Sequence, residues 1–361
     1  MIKKVVLTAA ALLVAGAGAA QQTRVLTPDR YSDFGLVYSL PSTALRITVK
    51  ALHTVKKAGP FYRYAKKQIG TDNVIMEDSE TWEVTDITVT PYGVASDSLQ
   101  YKMQLKAGVP TYLCVADDGM LLAVNKRVEA PSLPPMAQPS ASEMEVPTGN
   151  EYLQYVSEDF LSSQSSAKQA QMLAESIMEV RDARLSLTRG TADTMPTDGR
   201  QLELMLNSLG DQEKRMMEAF CGTTTQETAE RSFTMIPDDE GSCIIARLSN
   251  YGGFVEPDDL SGSPIVVEVS DIEEPEIPLD EKGNPRVMPK EGIAYRLPST
   301  ASVRVTWNDK PFFGQDIEMG QFGVTFGLDP SIFTNKKNPS YAVFNPVTGA
   351  LVEVGLQRDA E

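Results

Sequence analysis

A short segment of this chain occurs twice, and the repetition limits the folds that the rest can adopt. Residues 35–44 read GLVYSLPSTA and residues 292–301 read GIAYRLPSTA, so seven of the ten positions are identical. The identical positions include the run Pro-Ser-Thr-Ala, and a match of this quality is hard to obtain by chance. Because self-similarity is the sequence signature of a repeated structural unit, we expect two related modules in one chain.

Both copies lead into an alternating pattern. Residues 45–49 (LRITV) and 303–307 (VRVTW) carry apolar side chains at every second position. Alternation of this kind is typical of a strand that is buried on one face, as in an antiparallel sheet. The side chains predicted to point inward are Leu45, Ile47 and Val49 in the first copy and Val303, Val305 and Trp307 in the second.

The two copies also continue in a similar way. Each reaches a Pro followed by two aromatic residues, at 60–62 and at 311–313. The first copy has further predicted strands at 81–90 and 99–106, and a hairpin around an Asp118-Gly119 turn. We therefore predict an N-terminal β-module at residues 21–127 and a related C-terminal β-module at residues 291–361.

Two Pro-rich segments separate the modules from the material between them. Residues 128–150 contain five Pro together with Ser, Ala and Glu. This segment is expected to be a linker, because it cannot bury enough apolar surface to fold. Residues 271–290 form a second, acidic Pro-rich linker. Residues 232–270, which precede it, contain β-strands predicted at 243–248 and 265–269.

Residues 151–231 follow a helical period instead. Apolar residues track one face of a helix over about 166–188, and of a second helix that begins near Asp198. The expected N-caps are Ser165 or Ser166 and Thr197 or Asp198, and Gly190 is the expected end of the first helix. The short connection predicts an antiparallel helical hairpin. The predicted fold class is α+β: two related antiparallel β-modules with an inserted antiparallel helical hairpin.

The first twenty residues have the pattern of a secretory signal peptide. Lys3 and Lys4 precede an apolar run, and small residues lead to Ala20, where cleavage is expected. No Cys follows the run, so an N-terminal lipid anchor is not indicated. Later apolar stretches are too short for a transmembrane span. We therefore expect a periplasmic or secreted protein.

Composition removes several classes of function. The formal net charge is -16, and an acidic chain of this kind is unsuited to nucleic acid, which needs a basic surface. The single His excludes sites that require two imidazoles, and the sequence suggests no cofactor or metal site. Cys221 and Cys243 could form a disulfide and leave Cys114 over; the favoured interpretation is three buried thiols that pack as small hydrophobes.

The basic residues between positions 56 and 67 are unusual in this acidic chain, and this run contains the candidate binding residues. Arg63, Lys66 and Lys67 would share one face of a helix that begins at Pro60. The run is a candidate docking surface for an acidic protein segment, an anionic glycan or a lipid headgroup. The alternatives are a solvated helix face and an internal partner for the acidic residues 268–281. The candidate set is Lys56, Lys57, Phe61, Tyr62, Arg63, Lys66 and Lys67.

No residue is assigned a catalytic role. Three acidic pairs, at 117–118, 238–239 and 258–259, could serve a carboxylate-dependent hydrolase, although turn chemistry alone explains Asp beside Gly or Pro. The repeated Pro-Ser-Thr-Ala could be a duplicated ligand site. A structural role is favoured, in which Pro fixes the backbone and the hydroxyls bond to local backbone groups.

The order of several short motifs resembles the DUF4831 family, a domain of unknown function described as uncharacterised exported proteins of Bacteroides-type bacteria. The resemblance would cover nearly the whole chain after the signal peptide, and it implies a Gram-negative envelope setting, most simply the periplasm. The family has no established activity, so no catalytic residue can be transferred from it. The motifs are Gly35-Leu36-Val37-Tyr38-Ser39-Leu40-Pro41, Pro60-Phe61-Tyr62, Ala183-Arg184, Asp198-Gly199, Glu213 and Phe220-Cys221-Gly222.

These observations favour a non-enzymatic binding or scaffold protein of the cell envelope, with a protein or anionic glycan as its partner. The alternative is a carboxylate-dependent hydrolase that acts on envelope glycans or peptides. Two acidic side chains in one large cleft would favour the hydrolase, because glycoside hydrolysis requires a pair of carboxylates.

Overall fold

The computed structural model describes residues 22–25, 35–104, 111–132, 136, 145–280, 282–284, 292–333 and 339–356. The predicted signal peptide at 1–20 lies outside these residues, as do parts of both predicted linkers.

The described residues form thirteen strands, four α-helices and three short 3-10 helices. The strands are β1 Gln22–Val25, β2 Leu36–Lys57, β3 Ser79–Gln104, β4 Leu113–Val115, β5 Leu121–Val124, β6 Thr223–Met235, β7 Gly241–Ser249, β8 Gly253–Val255, β9 Ser263–Glu273, β10 Ile293–Trp307, β11 Lys310–Leu328, β12 Ser340–Phe344 and β13 Leu351–Leu356. The α-helices are α1 Ala65–Ile69, α2 Glu158–Ser162, α3 Ser166–Arg189 and α4 Gly199–Cys221, and the 3-10 helices are Tyr62–Tyr64, Glu151–Tyr155 and Pro330–Phe333.

The strands are arranged in three antiparallel sheets. The first repeat sheet has the order β1-β3-β2-β6, and the second repeat sheet has the order β11-β10-β9-β7-β8. The third, which we call the closing sheet, has the order β13-β12-β5-β4 and joins the two short hairpins that follow the repeats. Antiparallel sheets combined with a separate group of helices make the chain an α+β protein, as predicted.

The two copies of the repeated segment have the same local pairing. Tyr38 of β2 lies opposite Tyr101 of β3, and Tyr295 of β10 lies opposite Phe326 of β11. Just beyond, Ser39 pairs with Gln100 but Pro41 pairs with Ala95, so the partner strand advances five positions while β2 advances two. The second copy repeats this irregularity, because Leu297 pairs with Val324 and Ser299 with Met319. Pro supplies no N–H to the ladder, which accounts for a break at this step.

The copies also hold their following hairpins in the same way. The Ser39 N–H donates to Gly119 O at 2.9 Å, and the Arg296 N–H donates to Gly349 O at 2.9 Å. Both glycines have positive φ, 84° and 76°, which suits the turn between the strands of each hairpin. These matching contacts are those that a duplicated unit would show, and the common origin of the modules stays a prediction.

The predicted apolar faces meet in the largest core. Leu45, Ile47 and Val49 are fully buried, as are Val303 and Val305, and Trp307 is nearly so. They pack with residues of β3, β7, β9 and β11 in one cluster, so the first and second repeat sheets form a sandwich. A smaller cluster holds the closing sheet against Tyr38 and Tyr295.

The segment at 232–270 is not separate from the modules. Every residue of β6 pairs with a residue of β2. β6 begins at Thr223, within the region 151–231 that was predicted to be helical. β9 pairs with β10, and β7 pairs with β9. β6 and β9 thus give the repeat strands β2 and β10 a second hydrogen-bonded neighbour, on the side away from β3 and β11. The predicted strands 81–90 and 99–106 are joined in β3, which runs from Ser79 to Gln104, and residues 105 and 106 lie outside the described residues. β9 extends to Glu273, into the predicted acidic linker.

The two repeat hairpins end differently. β10 and β11 are joined by Asn308 and Asp309 alone, both in the left-handed region with φ of 49° and 59°, which is typical of a two-residue hairpin turn. The connection between β2 and β3 instead contains a 3-10 helix and α1. The two Pro-aromatic steps are therefore not equivalent, because Pro60 precedes a helix whereas Pro311 lies within β11.

A helical unit lies at this end of the first repeat sheet. It comprises α1 to α4 and the two 3-10 helices Tyr62–Tyr64 and Glu151–Tyr155, packed around a core that includes Phe61, Phe160 and Phe220. The predicted caps are confirmed: Ser165 accepts from the Lys168 N–H, and Asp198 accepts from the Gln201 N–H. Gly190 ends α3 in the left-handed conformation, with φ of 71°.

In the first copy, the repeated Pro-Ser-Thr-Ala makes hydrogen bonds to residues that are far away along the chain. The hydroxyl of Thr43, which is fully buried, donates to Val347 O at 3.1 Å and accepts from the Gly320 N–H at 3.0 Å. The Thr43 N–H donates to Gln321 Oε1 at 2.8 Å. These bonds join the first module to the second, and the expectation that the hydroxyls bond only to local backbone groups is wrong for Thr43.

We expect Thr43→Val to lower the free energy of unfolding by about 1–3 kcal/mol, because it leaves a buried N–H and a partly buried carbonyl without their partner. The matched control is Thr300→Val, at the same position of the second copy, where the hydroxyl makes no hydrogen bond in the described part of the chain. That variant should stay within about 0.5 kcal/mol of wild type. Urea denaturation measures both, and equal losses would contradict the assigned role of Thr43.

Candidate functional site

The candidate binding residues lie where β2 ends and the helical unit begins. Lys56 and Lys57 are the last residues of β2. A 3-10 helix, Tyr62–Tyr64, then leads directly into α1, which ends at Gly70 in the left-handed conformation. The predicted helix from Pro60 is thus two short helices in succession, and Arg63, Lys66 and Lys67 are exposed on them.

Phe61 does not lie on the exposed surface with the other candidates. Its side chain is only 4% exposed, and its ring is 5.9 Å from Tyr152, 6.0 Å from Phe160 and 5.9 Å from Phe220 between centroids. Its N–H donates to Ala219 O at 2.9 Å. Phe61 is therefore a core residue of the helical unit and is not available to a ligand.

Tyr62 and Arg63 are in direct contact. The Arg63 Nε donates to the Tyr62 hydroxyl at 3.0 Å, and the guanidinium carbon is 5.4 Å from the centre of the Tyr62 ring. The hydrogen bond to Tyr62 raises the pKa of Arg63 above its usual value. The two side chains form an exposed cation–aromatic pair that presents a fixed positive charge.

Two of the lysines have acidic partners in the segment between β2 and β3. Lys57 Nζ is 3.0 Å from Asp78 Oδ2, and Lys66 Nζ is 3.1 Å from Asp72 Oδ2. Asp78 also accepts from the Ala58 N–H at 2.8 Å, and this bond, followed by the one from Lys57, holds the pKa of Asp78 below its usual value. The acidic residues 268–281 are not the partners of these lysines, so that alternative is wrong for Lys57 and Lys66.

The remaining cations of the run have no such partner. Among the described residues, no carboxylate lies within 4.0 Å of the charged nitrogens of Lys56, Arg63 or Lys67, and all three side chains are exposed. We call Lys56, Tyr62, Arg63 and Lys67 the basic surface. It can attract an anionic group by charge, and the Tyr62 ring adds an apolar contact beside that charge.

A second cationic site, which the sequence did not indicate, lies between α3 and α4. Arg181 Nε donates to Glu213 Oε1 at 2.6 Å, and Arg184 Nη1 donates to Glu213 Oε2 at 2.8 Å. The three side chains line a cavity of about 370 Å³ together with Leu185 and Thr188. The sequence feature that could have indicated this site is Arg181, a charged residue on the apolar face of the predicted helix.

Two further cavities adjoin other parts of the fold. One of about 550 Å³ lies at the end of the helical hairpin and is lined by residues that include Ser186, Leu187 and Asp193. One of about 640 Å³ lies beside β4 and is lined by residues that include Cys114, Arg127 and Glu129. Each of the three cavities contains one carboxylate, so none of them provides the pair that glycoside hydrolysis needs.

One Asp of each acidic pair bonds within a turn, and the three thiols are free. Asp118 accepts from the Met120 N–H, Asp239 from the Glu240 N–H and Asp259 from the Ser261 N–H, which is the chemistry of turns. No group of three or more potential metal ligands occurs in the described part of the chain. Cys114, Cys221 and Cys243 are free thiols; Cys114 and Cys221 are half-buried and Cys243 is exposed, so the expectation of three buried thiols is wrong.

The comparison with protein families gives a match over most of the chain. Residues 34–352 match the family described as Domain of unknown function (DUF4831). The chain belongs to this family. The DUF4831 match includes both repeat strands, the helical unit and the closing sheet up to residue 352, near the start of β13.

Other comparisons add nothing to the DUF4831 assignment. No curated protein and no solved structure shows significant similarity to the chain. None of the helices in the described residues is both long and apolar enough to cross a membrane.

Proposed function

We propose that this DUF4831 member is an exported, non-enzymatic binding or scaffold protein of the bacterial cell envelope, most simply of the periplasm. In this proposal the basic surface binds an anionic partner, and an acidic protein segment and an anionic glycan share the chemistry that it requires. The observation that carries the proposal is that Lys56, Arg63 and Lys67 are exposed and lie outside ion pairs in the described residues, although the chain has a net charge of -16.

The charge distribution supports this function in two ways. Carboxylates of the segment between β2 and β3 neutralise Lys57 and Lys66, whereas Lys56, Arg63 and Lys67 lie outside ion pairs in the described residues. The cations left over are fixed by structure, since Arg63 is held by Tyr62 and Lys67 lies on a helix next to the helical core. Because the protein as a whole is negatively charged, it repels polyanions in general. A fixed group of positive charges therefore favours binding of an anionic partner at that one place on its surface.

Export is supported by the sequence of residues 1–20, which has the charged, apolar and small-residue segments of a signal peptide. The mature chain would begin at Gln21. The Bacteroides-type origin is part of the same proposal, and it depends on the resemblance of the motifs to exported proteins of those bacteria.

A carboxylate-dependent hydrolase receives less support from the geometry. Each of the three cavities described above contains a single carboxylate, and one member of each acidic pair, Asp118, Asp239 or Asp259, accepts a hydrogen bond within its own turn. A hydrolase of this kind needs two carboxylates about 5–9.5 Å apart across one bond.

The test uses the chain from Gln21 with Lys56→Glu and Lys67→Glu combined. We expect this variant to bind a fluorescent poly-glutamate peptide or a sulfated polysaccharide roughly tenfold more weakly than wild type, because two attractive charges become repulsive. Fluorescence anisotropy at several salt concentrations measures the affinity, which should fall as ionic strength rises. Comparing the two probes distinguishes a protein partner from a glycan.

The matched control reverses two exposed lysines elsewhere, Lys282→Glu and Lys310→Glu, and so produces the same change in net charge. This variant should retain nearly wild-type affinity. An equal loss in both variants would show that only the overall charge matters, and would remove the basic surface from the proposal.

A further inference from the structure

The pocket between α3 and α4 has an excess of positive charge. Arg181 and Arg184 are three positions apart on α3, so they share one face of the helix, and both donate to Glu213 of α4. The Glu213 side chain is 17% exposed, and those of Arg181 and Arg184 are 36% and 49% exposed. Two guanidinium groups therefore share one carboxylate, which leaves one positive charge uncompensated.

Unused donors remain in this pocket. Each oxygen of Glu213 accepts one bond, from Arg181 Nε and Arg184 Nη1. Arg181 Nη2 is 3.6 Å from Met217 Sδ, which is a weak acceptor. The other two nitrogens of Arg184 make no hydrogen bond within the part of the chain that the structure describes. A guanidinium has five N–H donors in a planar fork, so Arg184 can still bind an oxyanion through two of them.

The pocket also has an apolar wall. Leu185, next to Arg184, lines the cavity and is 46% exposed. The Thr188 hydroxyl donates to the carbonyls of Arg184 and Leu185, so its proton is used within the helix. The cavity of about 370 Å³ is within the range of small-ligand pockets, which is about 300–1,000 Å³.

We propose that this pocket binds a carboxylate that carries an apolar group, with Arg184 as the principal contact and Leu185 beside the apolar part. Glu213 acts as a positioning residue, because it fixes both guanidinium groups and at the same time competes with the ligand for their charge. The ligand class is an amphiphilic carboxylate, such as a fatty acid. This site is independent of the basic surface, and it shares no residue with it.

The test measures binding of sodium octanoate by isothermal titration calorimetry, with sodium acetate and inorganic phosphate as comparison ligands at equal ionic strength. Octanoate should bind with millimolar affinity or better, and more tightly than either comparison ligand. Arg184→Gln should weaken octanoate binding about tenfold, which is the scale of one lost charged hydrogen-bond pair. Arg189→Gln, a matched charge change later in α3, should leave the affinity unchanged.

The variant Glu213→Gln distinguishes ligand binding in this pocket from a purely structural role of the Arg181–Glu213–Arg184 contacts. It keeps the shape of the side chain but removes the competing charge, so we expect octanoate to bind several-fold more tightly. Thermal unfolding of each variant establishes that it is folded before its affinity is compared. Weaker binding by folded Glu213→Gln, equal losses in Arg184→Gln and Arg189→Gln, or equal affinity for octanoate and phosphate would each overturn the proposal.

Discussion

Gly93→Ala is expected to destabilise the protein by about 3 kcal/mol or more, because the new methyl group would overlap backbone atoms rather than a movable side chain. A Cβ at this position of β3 would overlap Pro346 O and lie 2.9 Å from Pro346 C. Pro346 belongs to the turn between β12 and β13, so the overlap is between the first repeat sheet and the closing sheet. The backbone at Gly93 does not have a positive φ, and the penalty is therefore steric.

The control for this variant is Gly314→Ala in β11. A Cβ there meets nothing within 4 Å, and its φ is also not positive. Because Gly in a strand is about 0.5–1 kcal/mol less favourable than Ala, Gly314→Ala should be neutral or stabilising. The midpoint and slope of urea denaturation measure both variants. A stability of Gly93→Ala within about 1 kcal/mol of wild type would contradict the close approach of the two sheets.

Phe61→Ala is expected to cost about 3–5 kcal/mol, because it removes a buried ring and leaves a cavity. The ring of Phe61 contacts three other aromatic rings at the base of the helical unit. The loss should be seen first in the helical circular dichroism signal during thermal or urea unfolding, since these contacts hold the helices together.

Tyr62→Ala is the neighbouring control for Phe61→Ala. Tyr62 is half-buried, and its hydroxyl bonds only to Arg63 in the described residues. Its replacement should cost less than about 1 kcal/mol. If Phe61→Ala left stability unchanged and reduced binding of the acidic probes instead, the assignment of Phe61 to the core would be wrong.

Strand and helix positions could be predicted where the local pattern determines burial. The alternation of Leu45, Ile47 and Val49 indicated a one-sided strand, and these side chains are the centre of the sandwich. The ends of the helices were predictable because Ser165, Asp198 and Gly190 have side-chain or backbone properties that act within one turn. Local chemistry of this kind is contained in a few adjacent residues.

Pairing between distant strands could not be read in the same way. β6 pairs with β2 although the two strands are far apart along the chain. No local pattern in residues 223–235 indicates which strand they pair with. The role of Phe61 was also not predictable, because it lies in a basic run whose Arg63, Lys66 and Lys67 are exposed. Its own contacts come from the 3-10 helix Glu151–Tyr155, α2 and α4. The Arg181–Glu213 contact required the register of two helices, which the periodicity of each helix leaves open.

The length of β2 separates the closing sheet from the helical unit. Its 22 residues run without interruption from the cluster at the closing sheet to the start of the helical unit. A fully extended strand of this length would reach at most about 70 Å, which exceeds the diameter of a small domain of about 30 Å. The β2–β3 ribbon thus places the closing-sheet cluster and the helical unit at opposite ends of one hydrogen-bonded pair of strands.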